Sequence, residues 1–276
     1  MLNHENAAKW QNRLAISVVI IVAVGFILFT VIPILAVFLR IDPSKFWEET
    51  TSPGIIQAIV LSFYTSTIAS VICLGLAIPT AYILARRKFP GKSYFETLLG
   101  IPIVLPPAVA GVALLWAFAP RGLLGPVFNS MNIIIPGSTI AVIIAQVFTS
   151  SPYILRTSKS AFQGIDMDLL NSARILTTSK VRVFFTITLP LSRRQILSGF
   201  AMTWARAIGE FGAILMFAGD LPGITQTMPI AIYSDMIYNP LGASVLSIIL
   251  IILSFFILFT IRYLEQNTRG GDRMND

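Results

Sequence analysis

Two charged side chains four residues apart, Arg206 and Glu210, lie inside an otherwise apolar stretch of this chain. On a helix that spacing places both on one face, where they can pair across a turn. A charge at the centre of a membrane helix costs about 2.5–3.5 kcal/mol on insertion scales, so the pair must face a protein interior rather than lipid. Two roles fit: a buried clamp that fixes helix packing, or a gate element, flanked by Gly209 and Phe211, whose arginine meets a passing anion. Ala201, Ala205, Gly209 and Ala213 recur at every fourth position beside it, a small-residue stripe that lets a second backbone approach closely. Just beyond, the segment from Gly219 to Tyr233 contains no Lys or Arg. Its free amides and the polar side chains of Thr225, Gln226 and Thr227 could offer neutral donors to a tetrahedral oxyanion, or the segment could be a re-entrant turn that seals a pore mouth.

Other chemistries lack their residues. His4 and Cys73 are the single histidine and cysteine, so the chain offers no metal site of the usual kind and no disulfide framework. No Gly-x-x-x-x-Gly-Lys-Ser/Thr loop occurs, so the chain cannot hydrolyse ATP in that way. An intramembrane protease would need paired aspartates, a serine dyad or His-Glu-x-x-His, and none is present. No catalytic residue is therefore assigned.

These residues must be held by membrane helices. Only 12% of the residues are charged and the mean hydropathy is +0.78, against about 25% charged in a soluble domain. Helices of about 20 apolar residues cross a bilayer, and the runs lack the alternation of barrel strands. Six spans are predicted: Leu14 to Leu39, Ile55 to Ala85, Thr97 to Ala119, Ser138 to Leu155, Ile196 to Ala218 and Gly242 to Leu264. The fourth carries Gln146, Thr149, Ser150, Ser151 and Pro152 and is expected to be kinked or partly water-facing. Pro106-Pro107 in the third reads as a kink. The first run is too long for a cleaved signal and reads as an uncleaved span.

Of the 20 basic residues, all except Arg40, Lys45, Arg121 and Arg206 fall on one side when the N-terminus is placed in the cytoplasm. That asymmetry puts both termini in the cytoplasm of a multi-pass protein of the plasma or inner membrane. It also accounts for the net charge of +7 through contact with anionic lipid, with no nucleic acid as partner.

The basic, polar insert from Arg156 to Gln195 must then meet water and whatever partner waits there. Asp166 is a candidate N-cap for a short amphipathic helix from Met167 to Leu176, with Leu169, Leu170 and Ala173 near helical spacing. A second short turn is expected from Ser179 through Phe185, and Pro190 suits the first turn of the next membrane helix. The two short helices would form a knob parallel to the membrane; an interfacial helix lying on lipid is the plainer alternative.

Here the residues resemble a known family. Asn171-Ser172-Ala173, then Thr177, then Ile187, Leu189 and Pro190 match the spacing of the Glu-Ala-Ala, Gly, Ile-x-Leu-Pro signature of importer-type ABC permeases, with Asn171, Ser172 and Thr177 replacing Glu, Ala and Gly. The stretches Leu105 to Gly111, Ala205 to Ala213 and Phe217 to Tyr233 look like the oxyanion branch, specifically its molybdate permeases. The resemblance covers roughly residues 55–264. It implies an all-α membrane protein of about six transmembrane helices, with the type I ABC importer permease fold and a cytoplasmic coupling helix between spans four and five. Residues 1–54 would hold the N-terminal tail, first span and an external loop, residues 55–264 the permease core, and residues 265–276 a cytoplasmic tail.

It further implies a homodimeric pore and two cytoplasmic ABC ATPase subunits carrying ATP and Mg, with no cofactor in this chain itself. Those subunits would grip the knob at Asp166, Leu169, Asn171, Ser172, Ala173, Arg174, Thr177, Arg182, Ile187, Leu189 and Pro190. An extracytoplasmic molybdate-binding protein would deliver the substrate. Sulfate or tungstate is the alternative cargo. An ion-coupled secondary carrier using Glu210 is the alternative mechanism, and it leaves the basic insert without a purpose.

Overall fold

The computed structural model describes residues 2–176 and 179–269, with side chains for 15–173 and 179–263. The described residues form helices in the order α1 (Leu2–Leu39), α2 (Pro43–Thr50), α3 (Pro53–Arg86), α4 (Lys92–Val104), α5 (Pro107–Phe118), α6 (Gly125–Ser130) and α7 (Thr139–Gln163), followed by α8 (Met167–Leu176) and α9 (Lys180–Val183). A π-helical turn (Phe184–Thr188) leads into α10 (Leu189–Ile208), and α11 (Gly212–Ala218), α12 (Met228–Tyr238) and α13 (Pro240–Arg269) complete the chain. Four helices are long and apolar enough to cross a bilayer unaided, within α1, α3, α7 and α13. Two bent pairs, α4 with α5 and the Lys180–Ile208 rod with α11, bring the number to six if each pair counts as one span.

The packing follows from residue size. The buried face of α3 includes Ala58, Ser62, Thr65, Ser66, Ala69, Ser70, Cys73, Ala77 and Ala81. These small side chains recur every three or four positions, the spacing that lets another helix close in. Their neighbour is α7, where Ile154 meets Cys73 and Ala77, and the Cys73 thiol lies 3.7 Å from the Val147 carbonyl. A second core joins Ala110 and Leu114 of α5, Val142 and Ala145 of α7, Ile214 and Phe217 of α11, and Ile230 of α12. In contrast, every α1 side chain from Ala15 to Ala36 is exposed, as suits a helix bathed in lipid.

Three elements depart from the sequence reading. The third span is not a kinked rod: α4 and α5 meet at Leu105-Pro106 with a 113° bend. The fourth does not stop at Leu155 but continues to Gln163, with Pro152 inside it, because Ser158, Ala161 and Phe162 keep a buried face beyond Arg156 and Lys159. The fifth is broken at residues 209–211, where the chain turns by 55°.

Candidate functional site

The break between α10 and α11 carries the charged pair. Gly209 ends α10, its N–H donating to Ala205 O at 3.3 Å, and the helix restarts only at Gly212. Glu210 therefore sits beyond the helix end, which corrects the expectation of one uninterrupted helical face. Its side chain is fully buried, and its Oε2 lies 2.6 Å from Nη1 of Arg206, whose own side chain is 28% exposed. Oε2 has no aligned hydrogen bond among the described residues, so this contact is ionic. The other carboxylate oxygen, Oε1, accepts the Ala213 N–H at 2.9 Å. One carboxylate thus pairs with Arg206 in the last turn of α10 and caps the first turn of α11, where a negative charge is favoured by the unpaired amides.

Neighbours hold the break open. The side-chain amide of Gln146 on α7, fully buried, donates to Ala207 O at 3.1 Å, a carbonyl beside the interruption that also accepts the Glu210 N–H at 3.2 Å. The elbow of α4 and α5 seats directly against it: a Cβ at Gly212 would lie 2.9 Å from Pro107 Cβ, and one at Gly111 would lie 2.7 Å from Ala213 O and from Met216 Cβ. Both glycines are required by this close approach. Phe211 is half-buried with its ring centroid 5.4 Å from that of Tyr233, and Gly209 is exposed. Gln146, Pro107 and Gly111 carry much of this geometry, and reading Arg206 and Glu210 along one helix misses them.

At the end of the bundle away from α8, the loop after α11 folds on itself. Gly219 and Gly223 adopt positive φ. Thr225 is buried; its hydroxyl accepts the Leu221 N–H at 2.9 Å and donates to Gly219 O at 3.1 Å. That hydroxyl is engaged by the turn itself. Gln226 Nε2 donates to Ser234 Oγ at 3.2 Å. Thr227 is fully buried, and its hydroxyl has no hydrogen-bond partner among the described residues. The loop is tied down by Thr139 Oγ1 donating to Ile224 O at 2.9 Å and by the Met228 N–H donating to Ser62 Oγ at 2.7 Å. Burial, with Glu49 and Asp220 adding repulsion, raises the Asp235 carboxyl above its ordinary value.

At the opposite end α8 forms as expected, with Asp166 Oδ1 accepting the Asp168 N–H at 2.9 Å. Leu170 and Ala173 are buried against Val183, Ile165 and Ile187. Arg86 of α3 holds the turn before it, Nη2 donating to Ile165 O at 3.2 Å and Nη1 lying 2.9 Å from Met167 Sδ. Leu169, Asn171, Ser172 and Arg182 face outward. Thr177 and the side chain of Arg174 lie outside the described residues.

The second half of the knob differs from expectation. Ser179 Oγ accepts the Arg182 N–H at 3.3 Å and starts α9, but α9 runs without interruption through the π turn into α10, so Lys180–Ile208 is one rod. The wide turn has a physical cause. Exposed Pro190 has no N–H and its ring crowds the carbonyl four residues back, and the Leu189 N–H donating to Phe184 O opens the helix locally to accommodate it. Leu189 packs with Ala81, Phe162 and Ile196.

Among the described residues, no group of three or more His, Cys, Asp or Glu could hold a metal ion. The geometry instead joins an exposed helix, through one rigid rod, to a broken helix with a buried ion pair.

The molybdenum transport system permease protein ModB of Mycobacterium tuberculosis is 36% identical over 236 residues, covering 86% of this chain and 89% of that protein. ModB of Escherichia coli is 37% identical over 217 residues, covering 77% and 94%. The crystal structure of a bacterial ABC transporter involved in alginate import superposes with a TM-score of 0.74 at 14% identity, over 94% of this chain and 96% of that one. The profile described as binding-protein-dependent transport system inner membrane component matches residues 77–270. The chain is a multi-pass membrane protein with the type I importer permease fold, and it belongs to the binding-protein-dependent transport system inner membrane component family.

Proposed function

We propose that this chain is the pore-forming permease of an ATP-driven importer for molybdate. Two copies build the pore, and two ABC ATPase subunits carrying ATP and Mg engage α8 and the start of the α9–α10 rod. A molybdate-binding protein docks at the opposite mouth. Both termini and α8 lie in the cytoplasm, since the basic residues concentrate at that end. Residues 55–264 act as the permease core, and this chain holds no cofactor of its own. For the cargo, the support is the 36% and 37% identity to molybdenum permeases over most of the chain.

The observation that carries the mechanism is the uninterrupted rod Lys180–Ile208. A displacement imposed at α9 reaches Gly209 without a flexible joint, so closure of the ATPases can move α10 against α11 about the break. Arg206, Gly209, Glu210 and Phe211 then act as gate, with Glu210 keeping α11 capped while the helices shift. Thr225 and Gln226 shape the outer seal, and Thr227 offers a neutral hydroxyl beside it. ATP drives this cycle only as far as it binds one conformation more tightly than the other. Weak neutral contacts suit a path that must release its cargo.

The test is ATP hydrolysis by the complete complex in liposomes, with its binding protein loaded in turn with molybdate, tungstate or sulfate. Stimulation by the molybdate-loaded protein with a weak response to sulfate is expected. A dominant response to sulfate would reassign the cargo, and transport that collapses with an uncoupler but ignores ATP would overturn the mechanism.

A further inference from the structure

A cleft of about 630 Å³ opens between α3, α4 and α7 on the α8 side of the elbow. Leu105 and Pro106 line it. These are the residues at which α4 and α5 part by 113°, and the next residue, Pro107, packs on Gly212, two positions from Glu210. The cleft therefore lies against the elbow that packs on the break in the fifth span. Apolar residues including Ile101 and Leu155 line it as well, together with charged Glu96, Arg156 and Lys159.

The charges there are unequally committed. Lys159 Nζ lies 2.7 Å from Glu96 Oε1, and Lys92 Nζ lies 4.0 Å from the same oxygen. Arg156 makes no ion pair among the described residues. Its Nη2 would be only 3.0 Å from a Cβ placed on Gly100, so the guanidinium lies across a bare patch of α4 that glycine leaves free. A cation beside apolar walls acts over a longer distance than one in bulk water, because the local dielectric is lower.

We infer that this cleft is the release-side station of the translocation path, where Arg156 receives the tetrahedral oxyanion after it passes the gate and Glu96 keeps the hold weak. This rests on the import reading above. Glu96 occupies Lys159, so a dianion finds one uncommitted cation rather than two, and repulsion from the carboxylate hastens its departure to water. A path that bound more tightly at this point would slow turnover. The phosphate of an anionic lipid shares the same chemistry, but the contact of the adjoining Pro107 with Gly212, two positions from Glu210, favours the transported ion.

The test uses the full-length dimeric chain in nanodiscs of neutral phosphatidylcholine, with radiolabelled molybdate as probe. Saturable binding is expected, weakened about tenfold by Arg156→Gln, a change equivalent to ~1.4 kcal/mol, and partly restored in Arg156→Lys. Gly100→Ser, which displaces the guanidinium without removing its charge, weakens binding as well. Glu96→Gln tightens it about tenfold while slowing molybdate uptake into proteoliposomes. Molybdate binding that is absent, or equal in all four variants, would overturn the inference. So would discs made with added phosphatidylglycerol in which Arg156→Gln alters only the lipid retained, which would make this a lipid site. The two readings fail separately: a molybdate-loaded binding protein that still stimulates ATP hydrolysis while the Arg156 variants bind like the parent chain leaves the import function standing and removes the station, whereas no stimulation by any loaded protein removes the import function itself.

Discussion

Replacing Glu210 with alanine removes three things at once. It leaves Arg206 without its partner 2.6 Å away, takes the acceptor from the Ala213 N–H, and empties a fully buried site. Breaking a buried ion pair from one side costs about 3–5 kcal/mol. The 28% exposure of the Arg206 side chain lets water recover part of that, which sets the loss near the lower end of the range. Loss of the cap adds about 1 kcal/mol, so Glu210→Ala is expected to lose roughly 3–4 kcal/mol in all. For a chain of this length that is a fall in Tm of about 10 °C. Glu210→Gln keeps an oxygen for the Ala213 N–H and loses only the charge, so it falls by roughly half as much. The double variant Arg206→Met/Glu210→Gln regains most of the loss, because no unpaired charge remains. Thermal unfolding of the four proteins in one detergent checks this series. A Glu210→Ala protein melting within about 1 °C of the parent, or a double variant worse than either single one, would refute the reasoning.

Further outcomes follow from the same geometry. Gly111→Ala drives a methyl into Ala213 O and the Met216 side chain, both 2.7 Å from its position, and overpacking of this kind costs about 1–3 kcal/mol; it should lower Tm and abolish uptake together. Thr227→Val removes a buried hydroxyl that has no hydrogen-bond partner among the described residues, so Tm should hold or rise while molybdate uptake falls, and unchanged uptake would take Thr227 off the path. Because burial raises the folded-state carboxyl of Asp235 above its unfolded value, the folded protein holds that proton more tightly, so this group disfavours folding at neutral pH and the penalty is relieved as pH falls through its raised value towards 3.8. Asp235→Asn should stabilise the protein at neutral pH and flatten that dependence in a melting series; a destabilised variant would contradict the assignment. Charge reversal at Arg182, exposed at the start of the rod, should uncouple ATP hydrolysis from uptake, and normal coupling would move the ATPase contact elsewhere.

The helices were readable where residue type alone decides them. Asp166 and the spacing of Leu169, Leu170 and Ala173 place α8 with the same bounds that the structure shows, because a short amphipathic helix with a cap is a local matter. The path of the fifth span was not readable in that way. Arg206 and Glu210 sit four apart as on any helix, and the break between them depends on Gln146 from α7 and Pro107 from the elbow, which are distant in sequence. Pro106-Pro107 announces a bend but not its 113°, since the angle is set by how closely Gly111 lets α5 lie on α11. Leu155 looked like a terminus because Arg156 and Lys159 follow it, yet the buried positions Ser158, Ala161 and Phe162 continue the helical period and could have carried the span to Gln163. The rod from Lys180 to Ile208 was hidden by Pro190, which reads as a helix start unless a π turn absorbs it.

The most direct test of the central claim is ATP-dependent accumulation of radiolabelled molybdate in proteoliposomes holding this chain, its ATPase and its binding protein. The account predicts uptake that requires ATP and all three components, survives an uncoupler and exceeds sulfate uptake. Accumulation driven by a proton gradient without the ATPase, or uptake of sulfate in preference to molybdate, would contradict it.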